Sequence, residues 1–241
     1  IGMGINMNID NVSFSNLRKF DGKKTRKLTL SEISQIAGRA GRHINDGTFG
    51  ITGECKQLSS DEIEKLEKHE LNKVDVLYWR NSKINFDSLN SLVSSLEKKT
   101  DNEFLKKIND CEDEKVLKYL IKNNNDLKIR HSNDYIKTLW ECCQIPDFSK
   151  KAYGNHIEVV KKVFEFLISK TGKVTNDYMK NQLKDLDKYD GNIDTLTNRI
   201  SNIRTWCYVS NKKGWANNSD YWIERTKYIE DKLSDKLHDE L

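Results

Sequence analysis

Gln35, Arg39 and Arg42 stand four and three residues apart in the run Q-I-A-G-R-A-G-R. On a helix turning about 100° per residue they fall at roughly 0°, 40° and −20°, on one narrow face. Ile33, Ile36, Ala37 and Ala40 fall at about 100–200°, on the opposite side, and are free to pack on a sheet. Two guanidiniums on one face repel each other unless an anion joins them, and the planar fork of arginine binds phosphate oxygens bidentately. A triphosphate is therefore one partner for this face, where arginines stabilise the charge that develops as a γ-phosphoryl group is transferred. A solvated face whose arginines pair with nearby carboxylates fits the same spacing, and the geometry leaves both open.

The elements that must position these side chains can be read on either side of them. Thr29 and Glu32 form a capping box, and Leu28 with Ile33 forms a hydrophobic staple, so a helix is expected over residues 28–42 with a well-specified start. Gly38 and Gly41 each cost about 1 kcal/mol in a helix interior, which implies a close approach by something at that edge. Val12–Leu17 alternates apolar and polar residues and Gly47–Thr52 reads G-T-F-G-I-T, both as short strands. Strand, helix and strand in order suggest an α/β layer. The run Arg18–Lys27 holds six basic residues against one Asp. Lys23, Lys24 and Arg26 within it are candidate phosphate contacts for RNA, the other reading being a solvated connection.

The rest of the chain is helical in pattern. Its 241 residues contain a single proline, Pro146, so long uninterrupted helices are permitted almost everywhere. Eight of the 12 glycines lie before residue 54, which separates an α/β segment at about 1–56 from helical regions at 57–150 and 151–241. A mean hydropathy of −0.77, and no stretch near the roughly 18 apolar residues of a spanning helix, argue against a membrane protein. The net charge of +4 is too small for a basic nucleic-acid arm, so any such surface must be local. The five cysteines include no C-x-x-C pair, which leaves no metal clasp and points to reduced, mostly buried thiols. The terminal His-Asp-Glu-Leu and the acceptor triplet Asn217–Ser219 have meaning only for a secreted chain, and nothing marks secretion. His43 is assigned no role.

Three aromatic sites remain. Arg199 and Arg204 flank a stripe of Ile200 and Ile203 with Trp206 and Tyr208 next to it. That combination suits stacking on a single strand; the plainer reading is a helix of the C-terminal bundle with Trp206 in its core. Trp215 and Trp222 read as docking anchors.

Gln35–Arg42 is similar to motif VI, Q-x-x-G-R-x-G-R, of superfamily 2 DExH-type helicases. Ile1–Ile9 (I-G-M-G-I-N-M-N-I) resembles motif V without its upstream Ala-Thr-Asp. L-R-K-F-D-G at Leu17–Gly22 and D-G-T-F-G at Asp46–Gly50 resemble one branch, the mitochondrial degradosome RNA helicase and its alphaproteobacterial homologues. The resemblance continues through Leu139–Phe148, Asp190–Trp206 and Ile229–His238, and is weak from about 57 to 130.

The resemblance implies an α/β fragment, the end of a second RecA-like helicase domain, followed by an all-α helical C-terminal region. It implies that Gln35 orients the nucleotide or the attacking water, that Arg39 and Arg42 contact the γ-phosphate, and that Gly2, Gly4 and Asn6 line a loop coupling nucleotide to RNA. ATP is the implied nucleotide. The chain has no G-x-x-x-x-G-K-[ST] and no Asp-Glu-x-His; the family carries both in an upstream domain, where the Mg²⁺ ligands are expected. The chain is thus expected to be truncated at both ends and inactive towards ATP alone. The implied partners are single-stranded or partly duplex RNA and an exoribonuclease, in the cytoplasm of a bacterium or the mitochondrial matrix of a eukaryote. Two other functions fit the residues, a non-enzymatic helical module that docks a nuclease and a DNA helicase of the same superfamily.

Overall fold

The computed structural model describes residues 9–21, 24–41, 45–109, 111–124, 132–149 and 153–240. Contacts divide the chain into two units, Ile1–Asp75 and Val76–Leu241.

In the first unit β1 (Asn11–Phe14) runs parallel to β4 (Thr48–Ile51), with Val12 opposite Phe49 and Phe14 opposite Ile51. A parallel pair needs a crossover. It consists here of a hairpin, β2 (Arg18–Phe20) and β3 (Thr25–Lys27), then helix α1 (Leu30–Ala37). The period-two alternation puts Val12, Phe14, Phe49 and Ile51 on one face of the pair. They share a core with Leu28, Ile33, Ile36 and Ala37, and with Leu66 of α2 (Ser60–Glu67). The expected strands at 12–17 and 47–52 are thus present but shorter. The first stops at Phe14, and Asn16 turns the chain by accepting the Arg18 N–H on its side chain at 2.8 Å. The basic run is an antiparallel hairpin, not a loop, and α2 belongs to the first unit although its pattern had grouped it with the helical region.

The second unit opens with a small parallel pair, β5 (Leu77–Trp79) and β6 (Leu105–Lys107), bridged by α3 (Leu89–Glu97). The C-terminal region is helical as expected, with one short strand pair at its start. Among the described residues six further helices follow: α4 (Glu112–Asn123), α5 (Asn133–Cys143), α6 (Tyr153–Ile168), α7 (Asn176–Leu183), α8 (Ile193–Asn211) and α9 (Ser219–Asp239). Ser88, Ser132, Thr175 and Asn192 cap α3, α5, α7 and α8 by accepting the backbone N–H of the third residue of each helix. One core runs from Leu92 to Leu233 across the expected boundary at residue 150. The connection between α8 and α9 is sewn to the segment before α7. Val174 donates its N–H to the Trp215 carbonyl at 2.7 Å, and Asn217 donates to the Val174 carbonyl at 3.1 Å.

The buried tryptophans settle the aromatic readings. Trp206 is 3% exposed and belongs to the core. Trp222 is buried and donates Nε1–H to Asn176 Oδ1 at 2.9 Å. Arg199 donates to the backbone carbonyls of Lys188 and Asp190, and Arg204 meets Glu230 at 2.8 Å. All five cysteines are free thiols. Cys142 and Cys143, side by side at the end of α5, are fully buried, and loss of solvation pushes both thiols well above their ordinary range. Cys207 is pushed up to about 11 by burial. Among the described residues no helix is long and apolar enough to cross a membrane.

Ile203 on α8 is completely buried, whereas Ile168 at the end of α6 is 45% exposed. Ile203→Ala is expected to cost about 2–5 kcal/mol through lost burial and the cavity left behind, and Ile168→Ala less than about 1 kcal/mol. Urea denaturation of both variants checks the difference.

Candidate functional site

The start of α1 is built as its sequence demands. Thr29 accepts the Glu32 N–H on Oγ1 at 3.3 Å, and Glu32 Oε2 accepts the Thr29 N–H at 2.9 Å. Leu28 and Ile33 are both buried beside it. Glu32 does more than close the capping box. Arg26 grips its carboxylate bidentately, at 2.8 and 2.9 Å, and Lys19 reaches it at 2.5 Å. Lys19 and Arg26 are cross-strand neighbours in the hairpin, and like charges so placed repel; Glu32 is the shared anion that removes the conflict. The next residue, Lys27, points the other way along the pleat and pairs with Glu62 at 2.6 Å, the capping-box glutamate of α2. Arg26 and the Lys19 ammonium hold the Glu32 carboxyl well below the usual carboxylate range, and Lys27 lowers that of Glu62.

The far end of α1 differs from the expected helix. The α-helix stops at Ala37, not at Arg42, with Gly38 as its cap. The chain then tightens: Arg39 N–H bonds to the Ile36 carbonyl at 3.2 Å, and Ala40 N–H to the Ala37 carbonyl at 2.9 Å. Bonds of that span bring residues three apart into register, so Arg39 follows Ile36 and leaves the face of Gln35. Ile36 and Arg39 accordingly line one cavity of about 400 Å³ with Val12, Phe14 and Asn16, and Gln35 stands exposed outside it. The wheel that joined Gln35 to Arg39 assumed a continuous helix, and the glycine cap removes that premise. Arg42, Gly2, Gly4, Asn6 and Lys23 lie outside the described residues. Of the expected RNA contacts, Arg26 is committed to Glu32 and Asp21, while Lys24 is exposed in the turn of the hairpin.

Gly41 explains the glycine pattern. Its φ of +68° is a left-handed conformation that side chains disfavour. A Cβ there would sit 2.4 Å from the Asn45 carbonyl oxygen, and one on Gly47 would sit 2.1 Å from the Ala40 carbonyl carbon. The close approach is therefore backbone on backbone, between the end of α1 and the lead into β4. Gly41 N–H also donates to the Ile9 carbonyl at 2.7 Å, which fixes the residue ahead of β1 to the turn that follows Arg39. The turn signal was legible in the two glycines. The double duty of Glu32 and Glu62 was not, since nothing in the spacing of Arg26 and Lys27 names their partners.

Two outcomes test this construction. Gly41→Ala is expected to destabilise the chain by about 1–3 kcal/mol, against little change for Gly50→Ala, where nothing lies within 4 Å of the added Cβ; thermal melts read both. Glu32→Gln is expected to cost about 1 kcal/mol at pH 7. A carboxyl whose pKa is lower folded than unfolded adds stability that is complete above the unfolded value of about 4.3 and fades as pH falls from there towards the folded value. The gap between wild type and Glu32→Gln should accordingly close below about pH 4 in denaturation curves.

No family model matches the chain. It is 52% identical over 66 residues, 27% of its length, to "ATP-dependent RNA helicase SUV3, mitochondrial" of Oryza sativa subsp. japonica, of which the match covers 11%. Over 42 residues, 17% of its length, it is 67% identical to "DExH-box ATP-dependent RNA helicase DExH16, mitochondrial" of Arabidopsis thaliana, covering 7% of that protein. Over 79 residues it is 38% identical to "DExH-box ATP-dependent RNA helicase DExH18, mitochondrial" of the same plant, covering 10%. The chain spans about a tenth or less of the length of these curated relatives. Over the partial segment that they match, the curated relatives bear out the likeness to DExH-type superfamily 2 helicases.

Proposed function

We propose that this chain is the C-terminal part of an ATP-dependent RNA helicase, in which ATP-gated closure of two domains moves an RNA strand and opens duplex. Arg39 carries the reading. It is half-buried, lines a concave site against β1 and sits on a turn locked by Gly41 to Ile9, at the end of the segment that resembles motif V. A guanidinium held that way needs little reorganisation to meet a phosphate that a second domain brings across a cleft, which is what electrostatic stabilisation of phosphoryl transfer requires. Arg42 would supply the second fork and Gln35 a polar contact at the rim. Gly2, Gly4 and Asn6 would pass the state of the nucleotide to the RNA backbone, and Lys24 would contact an RNA phosphate. The matched relatives, each named as an ATP-dependent RNA helicase, support the same assignment.

Among the described residues no group of three or more His, Cys, Asp or Glu could hold a metal ion. These residues do not fit a Mg²⁺ site. The proposed place of work is RNA degradation, in the mitochondrial matrix for a eukaryotic source and the cytoplasm for a bacterial one. A second reading, a surface that docks an exoribonuclease, is favoured by Leu77, Tyr78 and Phe104, large apolar residues on or next to the β5–β6 pair that are each more than half exposed.

In a protein carrying this segment together with its ATP-binding domain, Arg39→Ala should abolish RNA-stimulated ATPase, a loss of about 10³-fold or more, while RNA binding by gel shift survives. Retained ATPase would overturn the assignment. The 241-residue chain by itself should show no RNA-stimulated ATPase in the same assay.

A further inference from the structure

The second unit contains a polar cavity of about 410 Å³, a volume usual for small-molecule sites. Asn155 and His156 at the start of α6, Gln182 on α7, and Asn198 and Asn202 on α8 contribute its polar wall. His156 is 8% exposed, and its imidazole makes no hydrogen bond among the described residues. Burial lowers its pKa, so near pH 7 it is neutral and offers one donor and one acceptor. The carboxamides of Asn155, Gln182 and Asn198 are likewise without a hydrogen-bond partner among the described residues. Asn202 spends its Nδ2–H on the Asn198 carbonyl at 2.8 Å and keeps an acceptor oxygen. Buried polar groups are seldom left unpaired; His156 is the buried one here, while Gln182, Asn198 and Asn202 are half-buried around it and Asn155 is exposed at the edge.

The kind of ligand follows from what lines that space. Asp147 supplies a carboxylate to the wall, and it also accepts the Ser149 N–H at 3.1 Å and its hydroxyl at 2.9 Å. A phosphate or carboxylate ligand is therefore disfavoured. Val159 and Trp206 add apolar wall. A flat, uncharged group with donors and acceptors around its edge matches both surfaces, and carboxamides pair bidentately with such edges, as Asn and Gln do with adenine.

We propose that this cavity binds a single nucleobase, either of a free nucleoside or of an unpaired nucleotide turned out of an RNA strand. Bases that carry an exocyclic amine are preferred over uracil, since Asp147 offers an acceptor to the amine. Unpaired bases are commonly read on their edges in this way. The RNA source rests on the helicase reading, whereas the site itself does not, because nucleoside binding needs neither ATP nor turnover.

The test titrates the 241-residue chain with adenosine, cytidine, guanosine and uridine, without ATP or Mg²⁺, by calorimetry and tryptophan fluorescence. The expected result is saturable one-site binding, weakest for uridine. Gln182→Ala and Asn198→Ala should each weaken it by about tenfold, with circular dichroism and melting unchanged. Both side chains lack a hydrogen-bond partner, so these variants keep the fold, and His156→Phe is a third probe of the same wall. An unlabelled oligo(A) hexanucleotide that displaces adenosine identifies a strand as the source, and one that does not identifies the free nucleoside. Absence of nucleoside binding at millimolar concentration overturns the proposal. So does binding that the two carboxamide variants leave unchanged, or binding of acetyl-asparagine amide in place of the nucleosides. The Arg39→Ala ATPase result is independent of all of these.

Discussion

Two neighbouring side chains on a three-residue strand hold the first unit in register. Arg26 and Lys27 leave β3 on opposite faces and each ends on the glutamate that caps a helix, Glu32 of α1 and Glu62 of α2. A capping glutamate normally satisfies orphan backbone donors at a helix start. Here each also receives a cation from the hairpin, so local helix initiation and the long-range placement of two helices use the same carboxylates. The position of Arg39 follows from this. The ion pairs fix where α1 begins, Ile33 fixes which face is buried, and the glycine cap fixes where the helix stops. Three of the six basic residues in the run that first suggests a nucleic-acid surface, Lys19, Arg26 and Lys27, are thereby engaged within the unit.

Much of this was legible in the residues. The capping box, the staple and the two strands are short-range patterns, and each is present with its boundaries trimmed. The far end of α1 misled because helical periodicity was extended through Gly38 and Gly41. A wheel assumes constant pitch, whereas the tighter turn after Ala37 rotates Arg39 by an extra increment towards Ile36. The hairpin was missed although Asp21-Gly22 is a common turn dipeptide, because the density of charge drew the reading to phosphate contacts. Pairings such as Lys27 with Glu62, 35 residues apart, have no sequence periodicity at all and belong to the tertiary level.

The second unit shows the same division. A helical pattern was expected there, one of the two readings of the Ile200 and Ile203 stripe put Trp206 in a core, and the shared core then merged regions that composition had separated. The cavity walled by His156, Gln182 and Asn198 had no such signature. Those three residues come from three helices, at no shared helical interval, so only folding assembles them. Polar residues on otherwise amphipathic helices read as solvated faces until another helix closes over them.

The adjacent thiols at the end of α5 carry a consequence of their own. Cys142 and Cys143 have no solvent contact and are held protonated by their surroundings, and the thiolate is the form that reacts. Alkylating reagents can therefore reach them only in molecules whose interior has momentarily parted. The rate of their modification is a clock built into the bundle, counting excursions from the closed state that optical probes of the population average never register.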